Sequence, residues 1–201
     1  MLDKNDFLDR LDQLDKVVLE LGCGPNKKLM SAIGIDAINY EGVDIVGDIF
    51  EVLGKFPEKS VDSVHSFHFF EHIANFQELL SNIARVMRPG GHLEVVVPHF
   101  SNPYFYSDPT HRTFFGLYTF CYYASESLFS RKVPTYQHTI QFDLISVDLV
   151  FKSTRPFFIR HGVKKLFGLI FNSVGYMQEF YEENLSQIVP CYEVRYRLRK
   201  K

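Results

Sequence analysis

Apolar positions fall along this chain in short blocks whose spacing changes from one block to the next. Val17, Val18, Leu19 and Leu21 form a run closed by Gly22, Gly24 and Pro25. A run of that length between breakers predicts a strand buried on both faces. Upstream, Phe7, Leu8, Leu11 and Leu14 recur at helical spacing with Asp and Lys between them. That spacing predicts an amphipathic helix over residues 3–15 that packs on the sheet. The blocks 31–36 and 43–49 read as two more strands. A short helix should follow Asp48, because Asp is favoured at an N-cap. The connection between the first two strands is too short for a full crossover helix.

Asp62 opens a further strand through Val61, Val64 and Ser66, with Phe67 and His68 at its carboxyl end. Glu71-His72 opens the next helix, where an acid in the first turn is favoured by the dipole. Phe76, Leu79, Leu80, Ile83, Ala84 and Met87 then form one helical face. Arg88-Pro89-Gly90-Gly91 stops that helix, and residues 93–98 form a strand. Residues 99–112 are loop-like, rich in Pro, Ser and Asn, yet loaded with aromatics. A Phe- and Tyr-rich helix is expected from about 113 to 127. Residues 140–151 and 192–198 read as strands, and 164–173 and 177–188 as helices. There are no internal repeats and no low-complexity linkers, so one domain over residues 1–201 is expected, with an aromatic-rich insertion at about 99–138.

Composition narrows the function classes. The chain has 201 residues, enough for a full core. Its net charge of −2 argues against general nucleic-acid binding. The basic residues Arg195, Arg197, Arg199, Lys200 and Lys201 alternate along the last strand, as a solvated face would. Three widely spaced cysteines, Cys23, Cys121 and Cys191, make neither a disulfide framework nor a metal pattern. A cytoplasmic location is expected, since no signal-peptide core or membrane-spanning run is present. The aromatic content stands out, with 20 Phe and 11 Tyr but no Trp. Aromatics mixed with His, Asp and Arg in residues 99–129 suit an acceptor pocket for a flat or sugar-like molecule; they suit a lid or homodimer surface equally.

Glu20-Leu21-Gly22-Cys23-Gly24 resembles the first motif of the class I S-adenosylmethionine-dependent methyltransferases, an acid, a spacer and closely spaced glycines after the first strand. Gly-Cys-Gly-Pro-Asn at 22–26 is similar to a short-loop subgroup of that family. Two further blocks stand in the family's order: a proline loop, Asp62 and Glu71-His72, then a helix, Arg88-Pro89-Gly90-Gly91 and an apolar strand. The resemblance implies an α/β fold, Rossmann-like and doubly wound. The sheet would be mostly parallel and seven-stranded with an antiparallel C-terminal pair, and helices would cover both faces. It implies S-adenosylmethionine as cofactor. Gly22 and Gly24 would approach its methionine portion and ribose, with Cys23 between them, and Glu20 would orient the amino group. Asp36, followed by Ala37, would hold the ribose hydroxyls. Asp48 and the Ile49 N–H would meet the adenine edge, and Ser66 and Phe67 would lie near the methyl group.

If the acceptor is a hydroxyl, a base must take its proton, and histidine titrates in the useful range. His111 and His99 lead because they sit in the aromatic loop; His68 follows, and Asp108 would orient one of them. His72 is read as fixing its loop. His99, Asp108, His111 and His138 have side chains that suit zinc or iron, but they lack tight ligand spacing, and methyl transfer needs no metal; none is expected. The leading expectation is a methyltransferase acting on a hydroxyl or amine of a small molecule or glycan. The alternatives are a non-catalytic S-adenosylmethionine-binding regulatory module, and a nicotinamide-dependent oxidoreductase, disfavoured because the third glycine of the dinucleotide fingerprint is missing.

Overall fold

A computed structural model describes residues 1–125, 128–134 and 142–201. Its strands are β1 (Leu2–Asp3), β2 (Val18–Leu21), β3 (Ile33–Asp36), β4 (Ile45–Val46), β5 (Val61–Phe67), β6 (Met87–Pro98), β7 (Phe142–Val150) and β8 (Glu193–Lys200). Its α-helices are α1 (Ile49–Lys55), α2 (Phe76–Val86), α3 (Phe158–Phe171) and α4 (Gly175–Asn184). All eight strands join one sheet in the order β1-β4-β3-β2-β5-β6-β8-β7. The central pairs β4-β3, β3-β2, β2-β5 and β5-β6 are parallel, and the pairs of β8 with β6 and β7 are antiparallel. This is the Rossmann-like α/β architecture that the motif order implies. After β1, which lies at the edge beside β4, the chain starts the parallel part at β2, builds outward to β4, then returns to β5 on the other side of β2. That reversal opens a crevice at the carboxyl end of β2, where ligands bind in such sheets.

The core explains the central strands. Leu19, Leu21, Ile35, Ile45, Val64, Leu93 and Val95 are buried, as continuous apolar runs in a parallel sheet require. Helix α2 buries Phe76, Leu79, Leu80, Ile83, Ala84 and Val86. Each large side chain taken fully from water contributes roughly 1.5–3 kcal/mol. Asn75 caps the helix by accepting the Glu78 N–H, and Met87, fully buried, begins β6 rather than closing the helical face.

Four local expectations give way to tertiary contacts. The N-terminal segment is not one helix. Leu2 and Asp3 pair with Ile45 and Val46, adding an eighth strand, and only a 3-10 stretch at Leu8–Gln13 follows, broken at Arg10. The Asp3 carboxylate accepts the Leu8 N–H at 2.9 Å, which starts that turn late. Glu71-His72 lies in a separate 3-10 turn, Phe70–His72, ahead of α2. Residues 88–91 stay inside β6 as an excursion in the ladder, since Val61 faces Met87 while Ser63 faces His92 and Gly90 has φ +82°. Among the described residues, the stretch from residue 113 holds a 3-10 turn, Thr119–Tyr123, in place of the expected helix. Phe115 and Phe120 turn inward onto Phe76 and Tyr196 instead of lining a helix face. Gly116 is pressed there: a Cβ on it would lie 2.7 Å from Glu182. At the other end, α3 starts earlier than its periodicity suggests and α4 stops sooner. Among the described residues no helix is long and apolar enough to cross a membrane.

Candidate active site

Three parallel strands end level. Leu21 lies beside Ile35 on one side and Ser66 on the other. Gly22, Asp36 and Phe67 therefore stand at one level, the last two as the final residues of β3 and β5. Gly22 and Gly24 adopt φ of +63° and +58°, a region that other residues enter at a cost. The N–H groups of Gly22 and Cys23 donate to the Ile35 carbonyl at 2.9 and 3.2 Å. The Gly24 N–H donates to Asp36 Oδ2 at 2.9 Å. The two glycines serve different neighbours. A Cβ on Gly22 would lie 2.4 Å from the Phe69 ring, whereas one on Gly24 would meet nothing within 4 Å. Gly24 thus borders open space beside a carboxylate.

Asp36 is the hinge of this corner. Its Oδ1 accepts the Ile38 N–H at 2.9 Å, closing the turn that contains Ala37, and its carbonyl accepts the Gly47 N–H at 3.0 Å. The last bond seats Asp48 next to it. Asp48 Oδ1 accepts the N–H groups of Phe50 and Glu51 at 2.9 and 3.2 Å, capping α1 behind the buried Ile49. The connection to β3 is held without a helix. Glu20 is buried, and its two oxygens accept the Lys28 and Leu29 N–H groups at 2.9 and 2.7 Å. Lys27 donates to Asp44 at 2.7 Å and to the Ala32 carbonyl at 2.9 Å. Both Glu20 oxygens are therefore engaged by the loop. Burial, with the charges of Asp36 and Glu20, pushes the Cys23 thiol up to about 12, so it stays protonated.

At the end of β5, Ser66 is buried with its hydroxyl 3.4 Å from the Leu21 carbonyl, and the Lys28 ammonium lies 4.4 Å from the centre of the Phe67 ring. His68 follows with φ +57°. Its Nε2 is 2.8 Å from Glu193 and its Nδ1 3.5 Å from Glu71. Burial pulls its pKa down, but hydrogen bonds from Glu193 and Glu71 and their charges outweigh that and raise it to about 9. At neutral pH both ring nitrogens carry protons and His68 has no lone pair for an acceptor's proton. Burial pushes Glu193 up, but His68 and Lys152, the latter at 2.6 Å, hold it down at about 2.

His99 and His111 separate. His99 is fully buried: its Nδ1 accepts the Ser101 N–H at 3.1 Å and its Nε2 bonds Glu182 at 2.9 Å. That places it as an anchor between β6 and α4, away from solvent. His111 donates its Nδ1–H to the Phe105 carbonyl at 2.8 Å, which leaves Nε2 as the lone-pair nitrogen, 3.7 Å from Asp108 Oδ2. Its ring stands 4.9 Å from that of His72, centre to centre. Asp108, whose carboxyl is held low chiefly by the Thr110 hydroxyl and N–H, is joined to the same group. His138 lies outside the described residues.

A family model described as "Methyltransferase domain" matches residues 3–157. The chain belongs to that methyltransferase domain family. The structure is similar to that of a SAM-dependent methyltransferase from Archaeoglobus fulgidus, at 21% identity and TM-score 0.57, covering 92% of this chain and 86% of that one. It is similar to the YcgJ protein from Bacillus subtilis, at 16% identity and TM-score 0.53, covering 96% and 97%. It also resembles phosphoethanolamine N-methyltransferase 2 of Haemonchus contortus in complex with S-adenosyl-L-methionine, at 14% identity and TM-score 0.53, covering 98% of this chain and 52% of that one. At these identities the likeness is one of fold. Comparison with curated proteins gives no match.

Several residues of this methyltransferase escaped the sequence reading. Glu193 and Lys152 tie the end of β5 to the far edge of the sheet, with 125 and 41 residues between partners. The alternation of β8 puts Glu193 in phase with Arg195, Arg197 and Arg199, and nothing in it announces that Glu193 is buried against His68. Nearby, Asn102, Tyr104, Lys152, Arg160, Lys164 and Tyr192 line a cavity of about 390 Å³ between the aromatic loop and α3. Its basic groups, Lys152, Arg160 and Lys164, come from one stretch, but the loop residues Asn102 and Tyr104 that close the cavity lie about 50 residues upstream, so no local signal announced it.

Proposed function

We propose that this methyltransferase uses S-adenosylmethionine to methylate a hydroxyl or amine of a small molecule or glycan. The observation that carries the reading is the corner formed by Gly24, Asp36 and Asp48. One open face, two positive-φ glycines and two carboxylates meet there. Asp36 uses one lone pair of each oxygen on backbone N–H groups, so each keeps another for a ribose hydroxyl. Asp48 has an oxygen beyond its capping bonds for an amino group. The residues fit an adenosyl group. When bound, the cofactor would supply a methyl carbon on a good leaving group.

What remains for the protein is alignment, which can be worth several kcal/mol, up to ~10. The cavity beside Tyr104 and Tyr192 offers aromatic faces and cationic ends for the acceptor, and it reaches the end of β5 through Lys152, Glu193 and His68. The proton of a hydroxyl acceptor would go to the His111 group, whose Nε2 carries a lone pair. The test is release of S-adenosylhomocysteine when the protein is given S-adenosylmethionine and pools of hydroxyl and amine acceptors. His111→Ala is expected to bind the cofactor normally and to lose turnover. Cofactor binding with no turnover on any pool would favour the regulatory-module reading.

A further inference from the structure

The carboxyl end of β5 holds a group of side chains that methyl transfer alone does not explain. Glu71 is 1% exposed, and among the described residues its Oε2 has no hydrogen-bond partner. A buried carboxylate oxygen left unpaired is costly, and such atoms are uncommon in folded proteins. One ring nitrogen each of His72 and His111 and a Glu71 oxygen lie within 4.8 Å of one another.

The hydrogen bonds around the two rings decide which of their nitrogens carry lone pairs. His111 gives its Nδ1–H to the Phe105 carbonyl at 2.8 Å. His72 Nδ1 is 2.8 Å from the Thr110 hydroxyl, and that hydroxyl donates to Asp108 Oδ1 at 2.6 Å. A hydroxyl that donates to a carboxylate accepts from the ring, so His72 also carries its proton on Nδ1. Both rings therefore offer Nε2 lone pairs. A second hydrogen bond that fixes the tautomer in this way is the usual support of a metal-ligating histidine.

The loop that brings His111 is pinned to its partners. The Glu71 carbonyl accepts the N–H groups of Arg112 and Thr113 at 2.7 and 3.1 Å, and the Thr113 hydroxyl donates to the Ile73 carbonyl at 2.8 Å. Those bonds fix in advance the approach of His111 to the adjacent pair Glu71 and His72. Bonds of about 2.0–2.2 Å to a central ion would place the three donors roughly 3.4 Å apart. The spacing thus needs only a small contraction.

We propose that Glu71, His72 and His111 bind one divalent first-row transition ion, with zinc the best match, leaving a fourth position open. Two imidazoles and one carboxylate suit Zn²⁺ over Mg²⁺ or Ca²⁺, which prefer all-oxygen shells. Asp108 Oδ2, 3.7 Å from His111 Nε2, stands at the rim. The proposal departs from the expectation of no metal: His99 belongs to the Glu182 anchor, while Glu71 was read as an acid of a first helical turn and His72 as fixing its loop. Metal binding here does not depend on the cofactor reading. The consequence for chemistry rests on it: His111 would become a ligand, and an acceptor hydroxyl at the open position would be made more acidic by the ion and pass its proton to the Asp108 carboxylate at the rim rather than to a free imidazole.

The test uses chelator-stripped full-length protein without cofactor. Zn²⁺ is titrated in competition with a chromophoric chelator. One equivalent should bind with micromolar or tighter affinity. Glu71→Gln and His72→Ala should each weaken it at least tenfold, and His92→Ala, at an exposed histidine of β6, should not. Co²⁺ on the unmutated protein supplies a reading free of folding effects. A visible band of four- or five-coordinate intensity without a thiolate charge-transfer band supports the site. Absence of stoichiometric Zn²⁺ binding, a six-coordinate or thiolate Co²⁺ spectrum, or unchanged affinity in both ligand variants would overturn it. Because calorimetry with S-adenosylmethionine is run metal-free, failure of the metal site and failure of the cofactor reading are separable.

Discussion

Replacing Gly24 and Gly22 by alanine separates a turn that serves the fold from one that serves a ligand. Both positions have positive φ, +58° and +63°, so each alanine carries a backbone cost of roughly 1–2 kcal/mol. Beyond that the two differ. The new methyl at 24 meets no protein atom within 4 Å, while the one at 22 would lie 2.4 Å from the Cγ and Cδ2 of Phe69. Overpacking of that kind adds typically 1–3 kcal/mol. Gly24→Ala should therefore lose about 1–2 kcal/mol and Gly22→Ala about 2–5 kcal/mol in urea unfolding; 1 kcal/mol corresponds to roughly 2–4 °C in Tm at this chain length. Binding should rank the other way relative to stability. The methyl at 24 intrudes on the open face beside Asp36, and S-adenosylmethionine affinity should fall at least tenfold, about 1.4 kcal/mol. Isothermal calorimetry and urea melts on the same preparations read both quantities. Gly24→Ala with unchanged affinity would mean that the space over Gly24 is solvent and the bend is structural.

Asp36→Ala should weaken S-adenosylmethionine binding by ~1–3 kcal/mol, the scale of unpaired buried hydroxyls, and cost some stability because the Gly24 and Ile38 N–H groups lose an acceptor; an unaltered titration removes Asp36 from the site. Glu193→Gln strips the partner of His68 and Lys152. The folded pKa of Glu193, about 2, lies below its ordinary 4.5, so its stabilisation is present above about pH 4.5 and fades as pH falls toward 2. Urea melts should show a gap of about 2–3 kcal/mol between wild type and variant at pH 6, narrowing at pH 3; a gap that stays constant with pH contradicts the pairing. Ile83→Ala empties a fully buried position of α2 and should cost 2–5 kcal/mol by the same melts, while a loss below 1 kcal/mol would place α2 off the sheet.

What was legible in the residues was local. The glycine bend, the strand runs around it and the α2 face are written within a dozen residues each, and the Rossmann-like class of the sheet followed from the resemblance that three motif blocks carry. The apposition of distant segments was not. Nothing near Glu71 announces that His111 will lie against it, because the bonds from Arg112 and Thr113 that bring it there are backbone bonds, indifferent to side-chain type. The same holds for His68, whose charge depends on Glu193 at the far end of the chain. The missed aromatic segment failed for a different reason. The stretch is dense in Phe and Tyr, but Phe76, Tyr196 and the crowding at Gly116 give Phe115 and Phe120 a better place in the core than a helix would. Glu20 shows that an acid at a motif position can be engaged elsewhere: its two oxygens hold the helix-free loop.

Calorimetric titration of the metal-free wild-type chain with S-adenosylmethionine and, in parallel, with NAD tests the adenosyl cradle most directly. One equivalent of S-adenosylmethionine should bind, and NAD should give no saturable heat. Saturable NAD binding, or no heat from S-adenosylmethionine at protein concentrations of tens of micromolar, would contradict the account.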